Sequence, residues 1–183
     1  MKKQGERKEI ILAGSGGQGL VVAGIMLAEA AIREGKNVVQ TQSYGIASRG
    51  GFSMAEVIID SEEIIFQQVQ RPDVILALTP EALAKMQPLV NGEETVIFYD
   101  TTLIPGDYAG KRNMLGFPFT ELASNLGNVG AVNLIALGAI IARCQVVAPS
   151  SMRELIEKRF SGKVAELNIQ ALATGYGLIA AGS

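Results

Sequence analysis

The residues best placed to do chemistry in this chain are glycines. From Ile11 to Gly24 it reads ILAGSGGQGLVVAG, and Gly14, Gly16 and Gly19 fall in the G-x-G-x-x-G spacing that brings a pyrophosphate against bare backbone at a helix start. Ser15, Gly17 and Gln18 complete the loop, and the N–H groups from Ser15 to Gly19 could receive an anion from a phosphate-bearing ligand or a partner. A second loop, SYGIASRGG, holds Ser43 and Arg49 ahead of Gly50 and Gly51. A guanidinium beside side-chain-free backbone can meet phosphate or carboxylate with two parallel donors. Each loop also has a plainer reading: a tight turn with close helix–strand packing, and a solvated arginine at a loop tip. The chain has no histidine and one cysteine, Cys144, which sits in the apolar run AIIARCQVVA and reads as a small buried hydrophobe. The commonest general base is therefore missing, and so is the thiolate set of an iron–sulfur cluster. Chemistry here must rest on backbone, glycine loops and a few charges.

A nicotinamide or flavin site needs one thing more, an acid at the end of the second strand to take the ribose hydroxyls. That strand end reads VVQTQSYG, with Gln40, Thr41 and Gln42 where the acid should stand. Glu34 falls near the right count but belongs to a helix end, where it is expected to face solvent. A dehydrogenase would also need an acid–base group beside the loops, for which Tyr44 is the one candidate.

The elements that must carry these loops follow from the apolar pattern. Ile10 to Ala13 reads as a strand, Gly17 to Arg33 as a helix apolar almost all round, and NVVQT as a second strand, together a βαβ unit with a right-handed crossover. FSMAEVIID is a further strand with a short return EEIIF, and PDVILAL and TVIFYD are two more. Thr79 is an N-cap with Pro80 at the first helical position. Residues 101–123 show no period. VGAVNLIALGAIIA and KVAELNIQALATGYGLIA read as helices, and Ser151 with Glu154 as a capping box opening MRELIEKRF. The expected architecture is α/β: a single Rossmann-like domain over 1–183, with a mostly parallel sheet, helices on both faces and a helical C-terminal layer. In such a sheet the loops after the first and second strands open on one edge, so both glycine loops should border one crevice.

Composition narrows the partners. A formal charge of −2 with scattered cations gathers neither nucleic acid nor an anionic membrane. The start MKKQGERKE precedes only four apolar residues, which suits neither a signal core nor a spanning helix, so a cytoplasmic protein is expected. The apolar helices at 17–32 and VNLIALGAII exceed what one small sheet should cover. An apolar patch of several hundred Å² is predicted there, docking other subunits and favouring a homodimer when they are missing.

The order of these blocks carries a resemblance. GSGGQG, then SYG…RGG…AEVIID, RPDVILALTPEAL, GAVNLIALGA and a C-terminal F…K…LN…AL..GY resemble the gamma subunit of 2-oxoacid:ferredoxin oxidoreductases, which act on 2-oxoglutarate, pyruvate or ketoisovalerate, over about Ile10 to Gly177. The resemblance implies a complex that decarboxylates a 2-oxoacid on thiamine diphosphate with magnesium, passes electrons through iron–sulfur clusters to ferredoxin and hands the acyl group to coenzyme A. It implies alpha, beta and ferredoxin-like delta partners, with the thiamine site and the clusters on those chains. This chain would then be an architectural subunit with no catalytic residue or metal of its own. Its loops, Gly14, Ser15, Gly16, Gly17, Gln18, Gly19, Ser43, Arg49, Gly50 and Gly51, would line the coenzyme A side or dock the alpha subunit. Many relatives have a glutamate where this chain has Ala47, which bears on the choice of substrate subclass.

Overall fold

The structure, a computed structural model, describes residues 7–44, 50–106, 111 and 113–181. Within them a six-stranded sheet runs in the order β2-β3-β1-β4-β5-β6, from β1 (Lys8–Ser15), β2 (Asn37–Tyr44), β3 (Phe52–Asp60), β4 (Val74–Ala77), β5 (Val96–Asp100) and β6 (Met114–Phe117). The helices are α1 (Leu20–Arg33), α2 (Pro80–Met86), α3 (Phe119–Asn125), α4 (Val132–Cys144), α5 (Pro149–Arg159) and α6 (Gly162–Ala180). β1 pairs in parallel with β4, β4 with β5 and β5 with β6, while β3 is antiparallel to both its neighbours.

Strand alternation sorts the core into two layers. Ile10 and Leu12 of β1, Val74 and Leu76 of β4 and Phe98 of β5 point to the side covered by α1 and α4. Ile11, Ala13, Ile75, Ala77, Ile97 and Tyr99 point to the other side, where α2 adds Ala82, Leu83 and Met86. All four residues of β4 are buried, as a central parallel strand requires. Thr79 caps α2, its Oγ1 accepting the Ala82 N–H at 3.2 Å, with Pro80 at the first turn as expected.

Five sequence expectations need correction. The βαβ unit is split: β1 and β2 run parallel but β3 lies between them, because only residues 45–51 separate β2 from β3, too few for a crossover and enough for a hairpin. The aperiodic stretch contains β6, interrupted by Gly116, and α3, which has no side-chain cap to mark its start. Ser151 is no N-cap. α5 starts earlier, at Pro149, and Ala148 N–H donates instead to Glu34 Oε1 at 2.6 Å. Glu34 also pairs with Lys36 at 2.8 Å and is half-buried rather than solvated.

The predicted apolar patch is the fifth. α4 buries every residue from Val132 to Ile141, and α1 buries eight, because α5 and α6 close over the helices that the sheet alone could not cover. The α4–α6 crossing is tight enough that glycine faces glycine: a β-carbon on Gly175 would collide with the Ile135 carbonyl oxygen, and one on Gly138 would lie 3.1 Å from Gly175 Cα. On α1 only Val22 and Ile32 stay exposed among the large apolar side chains, and the most exposed of all, Ile65 and Phe66 at 80% and 66%, lie away from both helices.

Candidate functional site

β1 ends at Gly14 and Ser15, and Gly16 to Gly19 turn the chain into α1. Gly17 and Gly19 have φ of 96° and 72°, left-handed conformations that glycine adopts without strain. The loop is stapled from inside: Ser15 N–H donates to Gln18 Oε1 at 2.8 Å, and Gln18 N–H donates back to the Ser15 carbonyl at 3.2 Å. A side chain at Gly14 would press on Leu78 Cβ at 3.2 Å and Leu20 at 2.9 Å, so glycine there lets β1, β4 and α1 converge.

The second loop meets the first. Gly16 N–H donates to the Gly51 carbonyl at 2.8 Å, and a β-carbon on Gly16 would stand 3.6 Å from Gly50 N. β3 brings this about, because it runs antiparallel to β1 and its first residues return beside Ser15, with Ser15 opposite Phe52. Ser43 lies at the same end of the sheet, opposite Met54, but with β3 between it and β1, two strand spacings of about 4.8 Å away. Arg49 and Ala47 lie outside the described residues. The structure thus joins Gly14, Ser15, Gly16, Gly17, Gln18 and Gly19 with Gly50 and Gly51, and leaves Ser43 to one side.

The place is a switch point. α1 leaves β1 toward one face and α2 leaves the adjacent β4 toward the other, which opens a crevice between their carboxyl ends. The first intrahelical bond of α1 runs from Ala23 N–H to the Gly19 carbonyl at 2.9 Å, so the N–H groups of Leu20, Val21 and Val22 precede the ladder. No side chain caps them, and no acid stands in the first turn. Among the described residues no side chain compensates the partial positive charge of this helix end.

One residue at the site was undervalued by its sequence. Asn133, 6% exposed, donates from Nδ2 to the Gly19 carbonyl at 3.0 Å across a separation of 114 residues. It grips the residue that starts α1, and any β-carbon on Gly19 would be 2.5 Å from that nitrogen. The available signal was a lone amide in an otherwise apolar helix. Asp100, at the carboxyl end of β5, is fully buried and committed to structure: it accepts Thr102 N–H at 3.0 Å and both the N–H and hydroxyl of Thr120, the latter at 2.5 Å, which anchors the start of α3.

Among the described residues no three His, Cys, Asp or Glu side chains converge, and Cys144 is alone, its thiol pushed up to about 11 by burial. No helix among them is long and apolar enough to cross a membrane. The N–H groups of Ser15, Gly16 and Gln18, expected to receive an anion, are spent on Gln18 Oε1 and the Gly51 and Ser15 carbonyls, which leaves the start of α1 as the donor edge of the crevice.

A family model described as pyruvate ferredoxin/flavodoxin oxidoreductase matches residues 9–178. The chain is similar to the 2-oxoglutarate synthase subunit KorC of Archaeoglobus fulgidus, 44% identical over 168 residues that cover 91% of this chain and 85% of that protein. Its fold is similar to the gamma subunit of the keto/oxoacid ferredoxin oxidoreductase from Geobacter sulfurreducens, with 35% identity, a TM-score of 0.80 and coverage of 95% of this chain and 99% of that one. It also superposes with a TM-score of 0.87 on the 2-oxoglutarate:ferredoxin oxidoreductase of Magnetococcus marinus with 2-oxoglutarate, coenzyme A and succinyl-CoA bound. That likeness is one of fold, at 23% identity, covering 97% of this chain and 32% of that one.

Proposed function

Because the chain belongs to the pyruvate ferredoxin/flavodoxin oxidoreductase family, we propose that it serves as the gamma subunit of a 2-oxoacid:ferredoxin oxidoreductase acting on 2-oxoglutarate and yielding an acyl-CoA. Its glycine crevice faces the coenzyme A. Alpha and beta subunits hold the thiamine diphosphate and a ferredoxin-like subunit carries clusters, while this chain contributes shape and an anion-binding edge. The observation that carries the reading is the Gly16 N–H to Gly51 carbonyl bond, which supports a single crevice walled by both loops.

Coenzyme A is a polyanion, and the features at this edge suit one. The uncapped start of α1 favours negative charge, Gly17 has nothing within 4 Å of where a β-carbon would be, and Arg49 follows in the adjoining loop. The reacting groups come from other chains. This chain's part is to bind and orient, which leaves its lack of histidine without consequence.

The test is the reconstituted enzyme with Arg49→Ala. Loss of a charge-assisted contact of about 1.5–3 kcal/mol should raise the apparent KM for coenzyme A by roughly 10- to 150-fold with the complex intact. A second reading, in which the loops only dock the alpha subunit, draws on the internal use of the Ser15 and Gly16 N–H groups. It requires normal coenzyme A kinetics together with weakened subunit association.

A further inference from the structure

At the opposite end of the sheet the chain displays something the crevice does not use. Residues 61–73 join β3 to β4 without regular structure, and at their centre Ile65 and Phe66 are 80% and 66% exposed. Exposure of this degree usually belongs to a loose loop. Here the segment is held at three places. Gln70 and Arg71 N–H both donate to Glu9 Oε2 at 2.8 Å, Arg7 Nη2 donates to the Phe66 carbonyl at 3.2 Å, and Val69 packs on the sheet face. Arg7 is itself fixed by Glu9 Oε1 at 2.9 Å and by Asp60 at 3.7 Å. Glu9 is a carboxylate only 3% exposed, and burying one is costly unless it is well hydrogen-bonded; its Oε2 serves the backbone of this segment, and its Oε1 holds the Arg7 that in turn grips the Phe66 carbonyl.

We propose that Ile65 and Phe66 form a preorganised docking finger that enters an apolar socket with a basic rim on another subunit of the oxidoreductase. The inference rests on the reading of the chain as a subunit. Preorganisation matters because a loop already held in place loses little further entropy on association, which lets two apolar side chains act as an anchor. The charge of the rim follows from Glu62 and Glu63, exposed just before the tip and without an ion-pair partner among the described residues. The segment's one cation, Arg71, stands at its far end. A second copy of this chain is a poor occupant, since a two-fold contact would set the acids of one finger against those of the other. Lys8 lies opposite Ile59 and Ser15 opposite Phe52, so the finger is some 23 Å along the sheet from the glycine loop at about 3.3 Å per residue. Docking there leaves the crevice open.

The experiment measures binding of the full chain to the purified remainder of the enzyme, with wild type, Ile65→Ser/Phe66→Ser and Glu62→Lys/Glu63→Lys. The serine pair should weaken binding about 100-fold without lowering the denaturation midpoint. The lysine pair should slow association and invert its dependence on salt. Complexes assembled at saturating variant should keep the wild-type KM for coenzyme A. Wild-type affinity in the serine variant overturns the finger alone. Failure of the wild-type chain to bind any other subunit overturns the assembly reading and the finger with it. A wild-type homodimer that the serine pair dissociates overturns the choice of occupant.

Discussion

Replacing Gly175 by alanine sets two effects of opposite sign against each other in one helix. α6 is regular at this point, and alanine for glycine inside a helix ordinarily adds about 1 kcal/mol of stability. At Gly175 the new methyl would collide with the Ile135 carbonyl oxygen, lie 2.9 Å from its carbon and 2.8 Å from Ala139 N. These are backbone atoms of α4, whose residues from Val132 to Ile141 are all buried, so no side-chain rotation relieves the contact. The helices must move apart, which also opens the facing contact at Gly138. Overpacking of this kind costs about 1–3 kcal/mol and at times more. With the collision on backbone the upper end applies, and the net loss after the propensity gain is about 2 kcal/mol. For a chain of this size that is a fall in Tm of roughly 4–8 °C. Gly177, two residues on and still in α6, is exposed with nothing within 4 Å of its β-carbon position. Gly177→Ala should therefore gain about 0.5–1 kcal/mol, a rise of roughly 1–4 °C. Calorimetry of the two variants beside wild type reads both signs, and a Gly175→Ala protein at or above wild-type Tm would refute the packing argument.

Three further outcomes follow from single sites. Burial alone would raise the pKa of Glu9, but the N–H groups of Arg71 and Gln70 and the Arg7 side chain outweigh it and hold the carboxyl below its ordinary value. Its stabilisation is present above the unfolded pKa of about 4.3 and is lost as pH falls through the lower folded value. Glu9→Gln should cost about 1–3 kcal/mol near neutrality, with the deficit shrinking in urea titrations run below about pH 4. Cys144, with its thiol raised to about 11, should react slowly with a thiol reagent at pH 8 and rapidly once urea unfolds the chain; fast labelling of the folded protein would contradict its burial. Asn133→Ala removes the donor from the Gly19 carbonyl and is expected to raise the coenzyme A KM of the assembled enzyme about 10-fold with kcat retained, a shift that saturation kinetics would show to be absent if the grip on Gly19 were unimportant.

Periodicity and local chemistry made much of the molecule legible in its amino-acid sequence. β1, β4 and β5 are each built round a short apolar run, α2 has its cap and proline, and the glycine loop sits between a strand and a helix, each a consequence of interactions within a few residues. The absence of histidine and of a cysteine set is equally local, and it sufficed to remove whole classes of chemistry. Four-residue β6 and seven-residue α3, no shorter than β4 and α2, escaped because β6 is interrupted by Gly116 and α3 has no side-chain cap to mark its start. The insertion of antiparallel β3 between β1 and β2, the Gly16–Gly51 contact, the reach of Asn133 to Gly19 and the burial of α1 and α4 beneath α5 and α6 were decided only in three dimensions. Each joins groups tens of residues apart, and whether two such groups meet depends on how every intervening element packs. A local pattern can say that a helix has an apolar face, but what covers that face is a property of the whole chain.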